Sequence, residues 1–322
     1  MSLMLDEIYE EPSILEQYRT RDFIVKESVL NILNESGVIY SLGSGSSYNA
    51  AVYLSILLNR NGLNSIPIFA SEARLMIKGR GVNETAVIFS QSGNSVDAIR
   101  AAEYIRSLKS RVVAITNTPD SKLELASDVT ILTNVGEEKS IPATKSHLAQ
   151  LLTSLFISYH SQRDKLTSSL IKAEKGVDSI IERPDFVIEV VSNQYSNSIF
   201  LGSGLLYPIA LESSLKLTET SGSLSVAYPT REFLHGPKQM LGKNCAVFML
   251  NSDREVEKSI REYSGQVVDV TEFLEKKYLL DMHDEVSSSI IMLVFFQLLS
   301  YFNATRLGYN PDKPSRLSKV VY

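Results

Sequence analysis

The sequence predicts an α/β protein of two tandem doubly wound parallel-sheet units, each a three-layer αβα sandwich, related by an internal duplication. Three observations carry this. Short β-branched apolar runs alternate with stretches of helical spacing, as expected of strands buried beneath crossover helices. Glycine- and serine-rich turns sit where such strands feed into helices. Finally, Leu42-Gly43-Ser44-Gly45 with Tyr48 and Ala51 returns as Leu201-Gly202-Ser203-Gly204 with Tyr207 and Ala210, each match at an offset of 159.

In chain order, Asp6–Pro12 reads as an N-terminal arm, and Ser13–Glu35 as a helical stretch. Val38–Leu42 is the first strand, and a helix over 48–59 follows its glycines. Ser65–Phe69 is the second strand, 71–76 a helical turn, Ala86–Phe89 the third strand, Val112–Thr116 the fourth and Val129–Thr133 the fifth. An apolar helix covers Lys145–His160. Ser161–Pro184, polar and ended by a proline, connects to a helix over Val187–Tyr195 that leads the second unit. There Ala246-Val247-Phe248 and Val267–Thr271 repeat the third and fourth strands. The resulting segments are 1–36 (arm and helix), 37–160, 161–185, 186–308 and a tail over 309–322.

The stretch of greatest chemical interest is Ser90-Gln91-Ser92-Gly93-Asn94-Ser95, between the third strand and the helix starting at Val96. A strand turning directly into a helix aims the first, unpaired N–H groups of that helix at one spot, where the helix dipole favours an anion. Ser90, Ser92 and Ser95 add hydroxyl donors. The plainer reading is that Ser95 or Asn94 caps the helix. The repeat weighs against it. Where the first unit has Ser46-Ser47 the second has Leu205-Leu206, and where the first has Ser90-Gln91-Ser92-Gly93 the second has Leu250-Asn251-Ser252-Asp253, whose carboxylate would repel a phosphate.

Composition bounds the partners. The chain has 322 residues, a formal net charge of −5 and a pI near 5.6, without the basic cluster that nucleic-acid binding needs. One cysteine, Cys245, rules out an intramolecular disulfide and a multi-cysteine zinc site, and it fits the cytoplasm. The longest apolar run, Ile290–Phe296 continuing to Leu299, is short of the roughly 20 residues needed to cross a bilayer. No histidine pair has metal-ligand spacing, so neither a metal nor another cofactor is expected. His147, His160 and His283 read as packed or surface residues. His235, in Leu234-His235-Gly236-Pro237, sits in a turn, either as a turn residue or as a proton shuttle. Glu212, Lys216 and Glu219 share a helix face, which by spacing alone reads as a solvated run of ion pairs. The tail, Asn310–Tyr322, has two prolines and no periodicity. Leu317, Val320 and Val321 would anchor it if it folds back over a cleft.

The ordered motifs GSGSSYNAA, ASEAR, SQSGNSVD, PATKS, LGSGLLYPIALESSLKLTE, EFLHGP and DKPSRLSKVVY resemble, over nearly the whole chain, the sugar isomerase (SIS) domain pair of glucosamine-6-phosphate synthase, the glutamine:fructose-6-phosphate amidotransferase. The resemblance implies two SIS domains binding a hexose 6-phosphate through Gly45, Ser46, Ser47, Ser90, Gln91, Ser92 and Ser95. It implies Glu219 as the catalytic base with Lys216 beside it, His235 as a ring-opening group supplied across a homodimer interface, and Lys319 as a lysine of the covering tail. No glutaminase segment is recognisable. The pattern therefore points to glucosamine-6-phosphate deaminase, with an aldose/ketose sugar-phosphate isomerase or a deglycase of phosphorylated amino sugars as alternatives. A non-catalytic sugar-phosphate sensor is a reading of another class, which retention of Glu219, His235 and Lys319 disfavours.

Overall fold

The computed structural model describes residues 2–20, 25–79, 83–192, 197–263 and 266–319. Helices α1 (Leu3–Tyr9), α2 (Glu11–Thr20) and α3 (Glu27–Asn34) lead into β1 (Val38–Gly43), α4 (Ser46–Arg60) and β2 (Ser65–Phe69). A 3₁₀ turn (Ala70–Glu72) and α5 (Ala73–Met76) follow. Next come β3 (Glu84–Phe89), α6 (Val96–Ser107), β4 (Arg111–Thr116), α7 (Lys122–Leu125), β5 (Val129–Leu132) and α8 (Lys145–Ser158). Beyond them lie α9 (Arg163–Glu182), α10 (Asp185–Ser192), β6 (Asn197–Gly202), α11 (Leu206–Ser221), β7 (Leu224–Pro229) and β8 (Cys245–Met249). The chain continues through α12 (Arg254–Arg261), β9 (Gln266–Asp269), α13 (Val270–Tyr278) and α14 (Glu285–Arg306). The helix expected over Val187–Tyr195 is α10, and 193–195 of that expectation lie outside the described residues.

Two compact units emerge, one of Gln17–Glu138, Ala143–Leu166 and Ser318–Tyr322, the other of Met1–Glu16, Lys139–Pro142 and Thr167–Leu317. The first, here the five-stranded unit, has a sheet in the order β2-β1-β3-β4-β5, and every pairing is parallel. Its strands are hydrophobic on both faces because helices cover both. Tyr40, Leu42, Ala86 and Ile88 pack with Ala98, Ala101, Ala102 and Ile105 of α6, whose small side chains let the helix lie close. On α8 every residue is buried.

The four-stranded unit has the order β7-β6-β8-β9, again all parallel. Ile199, Leu201, Val247 and Met249 meet Phe233, Val256 and Ile260 in one cluster. Phe200 and Phe248 pack edge-to-face with Phe296 of α14, at centroid distances of 5.2 and 5.8 Å. At 22 residues α14 is long and apolar enough to cross a membrane by length and composition, but 83% of its most apolar window is buried in the protein. The apolar run alone understated this helix, because Ser287, Ser288, Ser289 and Gln297 are buried in it as well.

Three sequence expectations are corrected. The N-terminal arm is helical. Met4 and Ile8, one turn apart, are both fully buried, and the Asp312 carboxylate supplies the missing cap, accepting from Ser2 Oγ (2.6 Å), Leu3 N (3.0 Å) and Met4 N (2.9 Å). The helical stretch over 13–35 is two helices, since Lys26 has extended backbone angles (φ −53°, ψ 135°) that start α3 afresh. Strand geometry ends at Leu132 and Asp269, short of Thr133 and Thr271, and Asp269 caps α13 by accepting from Glu272 N.

Candidate functional site

In the five-stranded unit two strand-to-helix turns lie side by side, because β1 and β3 are neighbours in the sheet. After β1 the chain must double back tightly. A Cβ on Gly43 would lie 2.3 Å from the Ser47 carbonyl, and Gly45 takes φ +56°, so glycine is required at both. Ser46 and Ser47 are then the first residues of α4. The Gln150 amide of α8 donates to Ser47 Oγ at 3.1 Å.

After β3, the loop over 90–95 is pinned from below. Ser90 N donates to Ile115 O, Gln91 O accepts from Asn117 N (3.0 Å) and Thr116 Oγ1 (3.2 Å), and Gly93 O accepts from Leu123 N. Gly93 has φ +61°, and a Cβ there would meet Ser121 Oγ at 2.1 Å. Ser92 Oγ accepts from Asn94 N at 3.1 Å, whereas Asn94 turns its amide onto Ser92 O. Ser95 occupies the N-cap of α6 without a side-chain cap hydrogen bond. The plain capping reading thus fails for both Ser95 and Asn94. The loop is a fixed backbone with serine hydroxyls at the open end of a 12-residue helix.

The corresponding turns of the four-stranded unit are closed by the chain's own carboxylates. Gly202 repeats the tight approach, since its Cβ would lie 2.2 Å from Leu206 O. At the start of α11, however, Leu205 N donates to Glu285 Oε1 at 2.8 Å. At the start of α12, Asp253 Oδ1 accepts from Glu255 N and Val256 N, both at 3.2 Å. Asp253 caps the helix rather than merely repelling an anion from it.

Helix α11 carries the strongest electrostatic feature. Lys216 Nζ lies 3.1 Å from Glu212 Oε1 and 2.8 Å from Glu219 Oε2; the Glu212 and Lys216 side chains are 1% exposed and that of Glu219 is 22% exposed. The solvated ion-pair face read from spacing is therefore overturned. The helix turns this face inward, and spacing alone carries no information on which face is buried. Burial by itself would lower the Lys216 pKa, but the charges of Glu212 and Glu219 and their hydrogen bonds outweigh it and hold the ammonium well above its ordinary range. A locked cation fixes one Glu219 oxygen while part of that side chain stays open to solvent. His235 is exposed, between the 3₁₀ turns Glu232–Leu234 and Pro237–Met240, and Gly236 next to it takes φ +131°.

The tail is held by polar contacts. Leu317 is 43% exposed, which corrects its expected role as an apolar anchor, and Val320 and Val321 lie outside the described residues. Lys319 Nζ, in the five-stranded unit, lies 3.4 Å from Glu138 Oε2. Glu138 is a candidate site residue that sequence reasoning missed. Its carboxylate is completely buried and accepts from Thr144 N (2.8 Å), Thr144 Oγ1 (3.2 Å), Ser146 N (3.1 Å) and Ser146 Oγ (2.5 Å) at the start of α8. The available signal was PATKS itself, two hydroxyl residues at a helix start needing an acceptor. Ser46, Ser47, the 90–95 loop and Lys319 thus fall in one unit, and Lys216, Glu219 and His235 in the other. Among the described residues no group of three or more His, Cys, Asp or Glu is arranged to hold a metal ion.

The SIS domain model matches residues 32–158 and 193–269, which takes in both turns of each unit and all of α11. The chain belongs to the SIS domain family. This SIS chain is 29% identical over 339 residues to a glutamine–fructose-6-phosphate aminotransferase of Sulfolobus acidocaldarius, with 99% of the chain matching 56% of that relative. It therefore spans just over half the length of the curated relatives it matches. Among solved structures, it is similar to the C-terminal domain of the glucosamine-fructose-6-phosphate aminotransferase of Francisella tularensis, with a TM-score of 0.84 and 25% identity over 98% of both chains. It is also similar to the glucosamine-6-phosphate deaminase of Thermotoga maritima, with a TM-score of 0.79 and 27% identity over 99% of both. The tagatose-6-phosphate ketose/aldose isomerase of Escherichia coli, with a TM-score of 0.81 at 18% identity, shares the fold.

Proposed function

We propose that this SIS chain is an enzyme, a glucosamine-6-phosphate deaminase that converts its substrate and water to fructose 6-phosphate and ammonia. The observation that carries an acid–base role is the buried Glu212–Lys216–Glu219 network, with only Glu219 partly open to solvent. A sensor needs a phosphate site but no carboxylate locked this way. The choice of amino sugar is supported by the match to the Thermotoga deaminase along 99% of both chains.

In this reading Ser46, Ser47, Ser90, Ser92 and Ser95, with Gly45 and the Gln91 backbone, hold the 6-phosphate. His235, contributed by a second copy in a homodimer, helps open the pyranose ring. Glu219 takes the proton from C2 of the open-chain aldehyde and returns it to C1, leaving an imine at C2. Water adds to that imine, and ammonia departs as the C2 carbonyl forms. Lys216 holds Glu219 in place, and Lys319 stabilises oxyanions that develop along the way. An internal duplication accounts for the shared strand order and for the matching tight approaches at Gly43 and Gly202.

The test is to supply glucosamine 6-phosphate and follow both products. Ammonia and fructose 6-phosphate should appear in equal amounts, and solvent deuterium should enter C1 of the product. The second reading, aldose/ketose isomerisation, is favoured by the fold shared with the Escherichia coli isomerase. Interconversion of neutral hexose phosphates with no ammonia from the amino sugar would select it.

A further inference from the structure

Gln150 lies in the middle of α8, is 2% exposed, and hydrogen-bonds through Nε2 to Ser47 Oγ at 3.1 Å. Its Oε1 is buried with no hydrogen-bond partner among the described residues. An unpaired buried amide oxygen destabilises a protein, and a methionine or leucine of similar size would avoid that cost. Retention of the amide at such a place calls for a role other than packing.

The geometry supplies one. A serine hydroxyl has one proton and two lone pairs. Because Gln150 donates to Ser47 Oγ, one lone pair is occupied, and the serine proton points away from α8. Ser47 is also the second residue of α4, so its hydroxyl lies where the helix dipole already favours an anion. A carboxylate or a second hydroxyl at position 150 would instead accept the serine proton and spend it inside the protein. Helix α8 packs directly on α4 and is buried at every residue, so the amide is held at fixed height against the turn.

We propose that Gln150 is a positioning residue that fixes the polarity of Ser47, keeping its hydroxyl a hydrogen-bond donor to an anionic oxygen of the sugar phosphate. The inference rests on the phosphate-binding reading of that turn. It goes beyond that reading by placing a specificity device one layer behind the serines, selecting acceptor-only, fully ionised groups such as phosphate over hydroxyl-bearing neutral ones.

Calorimetric titration with fructose 6-phosphate and with inorganic phosphate tests it, using wild type, Gln150→Met, Gln150→Glu, Ser47→Ala and the Gln150→Met/Ser47→Ala double variant. Gln150→Met should lose about threefold in affinity, less than Ser47→Ala, because the serine hydroxyl survives but turns freely among its three staggered positions, and its Tm should equal or exceed that of wild type. Gln150→Glu should lose more, because its carboxylate takes the serine proton and repels the anion. The double variant should bind as Ser47→Ala does, since the amide acts only through that hydroxyl. Affinity unchanged in Gln150→Met or Gln150→Glu while Ser47→Ala weakens it would overturn the role of Gln150 and leave the phosphate reading standing. Losses that multiply in the double variant would likewise overturn it. Failure of wild type to bind either probe would bring down the phosphate reading, and this inference with it.

Discussion

The strand-to-helix turns after β1 and β6 share a tight glycine approach and differ in what fills the helix end. In both, a glycine without room for a Cβ lets the chain fold onto the residue four positions on, Ser47 in one unit and Leu206 in the other. In the four-stranded unit, carboxylates of the same chain then accept from the first N–H groups, Glu285 at α11 and Asp253 at α12. In the five-stranded unit the cap residues are Gly45, which has no side chain, and Ser95, whose hydroxyl does not cap. A closed end is a stability device. An open end backed by hydroxyls is a place for an anion from outside. In the proposed division of labour, the unit with open turns binds the phosphate, and the unit with closed turns carries the acid–base network of Glu212, Lys216 and Glu219 on α11.

That division sets where substitutions should act. Glu219→Gln should cost the largest factor, a loss of about 10²–10⁴ in kcat, with the affinity for hexose 6-phosphate retained. Rapid-quench kinetics and calorimetry on the same sample separate the two effects. A parallel loss of affinity would mean that the network also holds the phosphate.

Lys216→Met should destabilise the fold by about 3–5 kcal/mol, because Glu212 is left as a buried charge without its partner. The pH dependence follows from the raised pKa of Lys216. The pair's contribution is complete below the ordinary lysine pKa of 10.5 and is lost only as pH rises through the higher folded value. Urea unfolding of wild type and variant should therefore differ by the same amount at pH 7 and pH 9. A difference that shrinks over that interval would show that the lysine titrates lower and that the carboxylates do not control it.

The smallest effect should come from the closed turn. Asp253→Ala removes the cap of α12 and should cost about 1 kcal/mol, with no change in sugar-phosphate affinity. If opening that turn creates a second binding site, the cap alone distinguishes the units, and the serine hydroxyls matter less than the account requires.

Much of this asymmetry was legible in the residues. The β-branched runs marked β1 to β4 closely, since strands buried on both faces leave little else to place. The repeat exposed the exchange of Ser46-Ser47 for Leu205-Leu206 and brought Asp253 to notice, although Asp253 takes the cap position that Ser95, not Gly93, holds in the other unit. What stayed hidden depends on partners far away in sequence. Helix α1 is capped by Asp312, Glu138 is satisfied by a turn that has yet to form, and Glu285 reaches Leu205 across 80 residues. The inward turn of the Glu212–Lys216–Glu219 face was hidden for a different reason. An i, i+3, i+4 pattern of charges looks the same on a solvated helix and a buried one, and only the packing of α11 against α14 and the sheet decides between them.

In the proposed arrangement the open turn after β3 carries the phosphate and its counterpart after β8 does not. Calorimetric titration of fructose 6-phosphate into wild type and into the Ser92→Ala/Ser95→Ala variant tests it most directly, with the Tm of each as a control on the fold. Wild type should bind one sugar phosphate per chain, and the variant should lose about tenfold or more in affinity at a nearly unchanged Tm. Two sugar phosphates per chain, or undiminished affinity without Ser92 and Ser95, would contradict it.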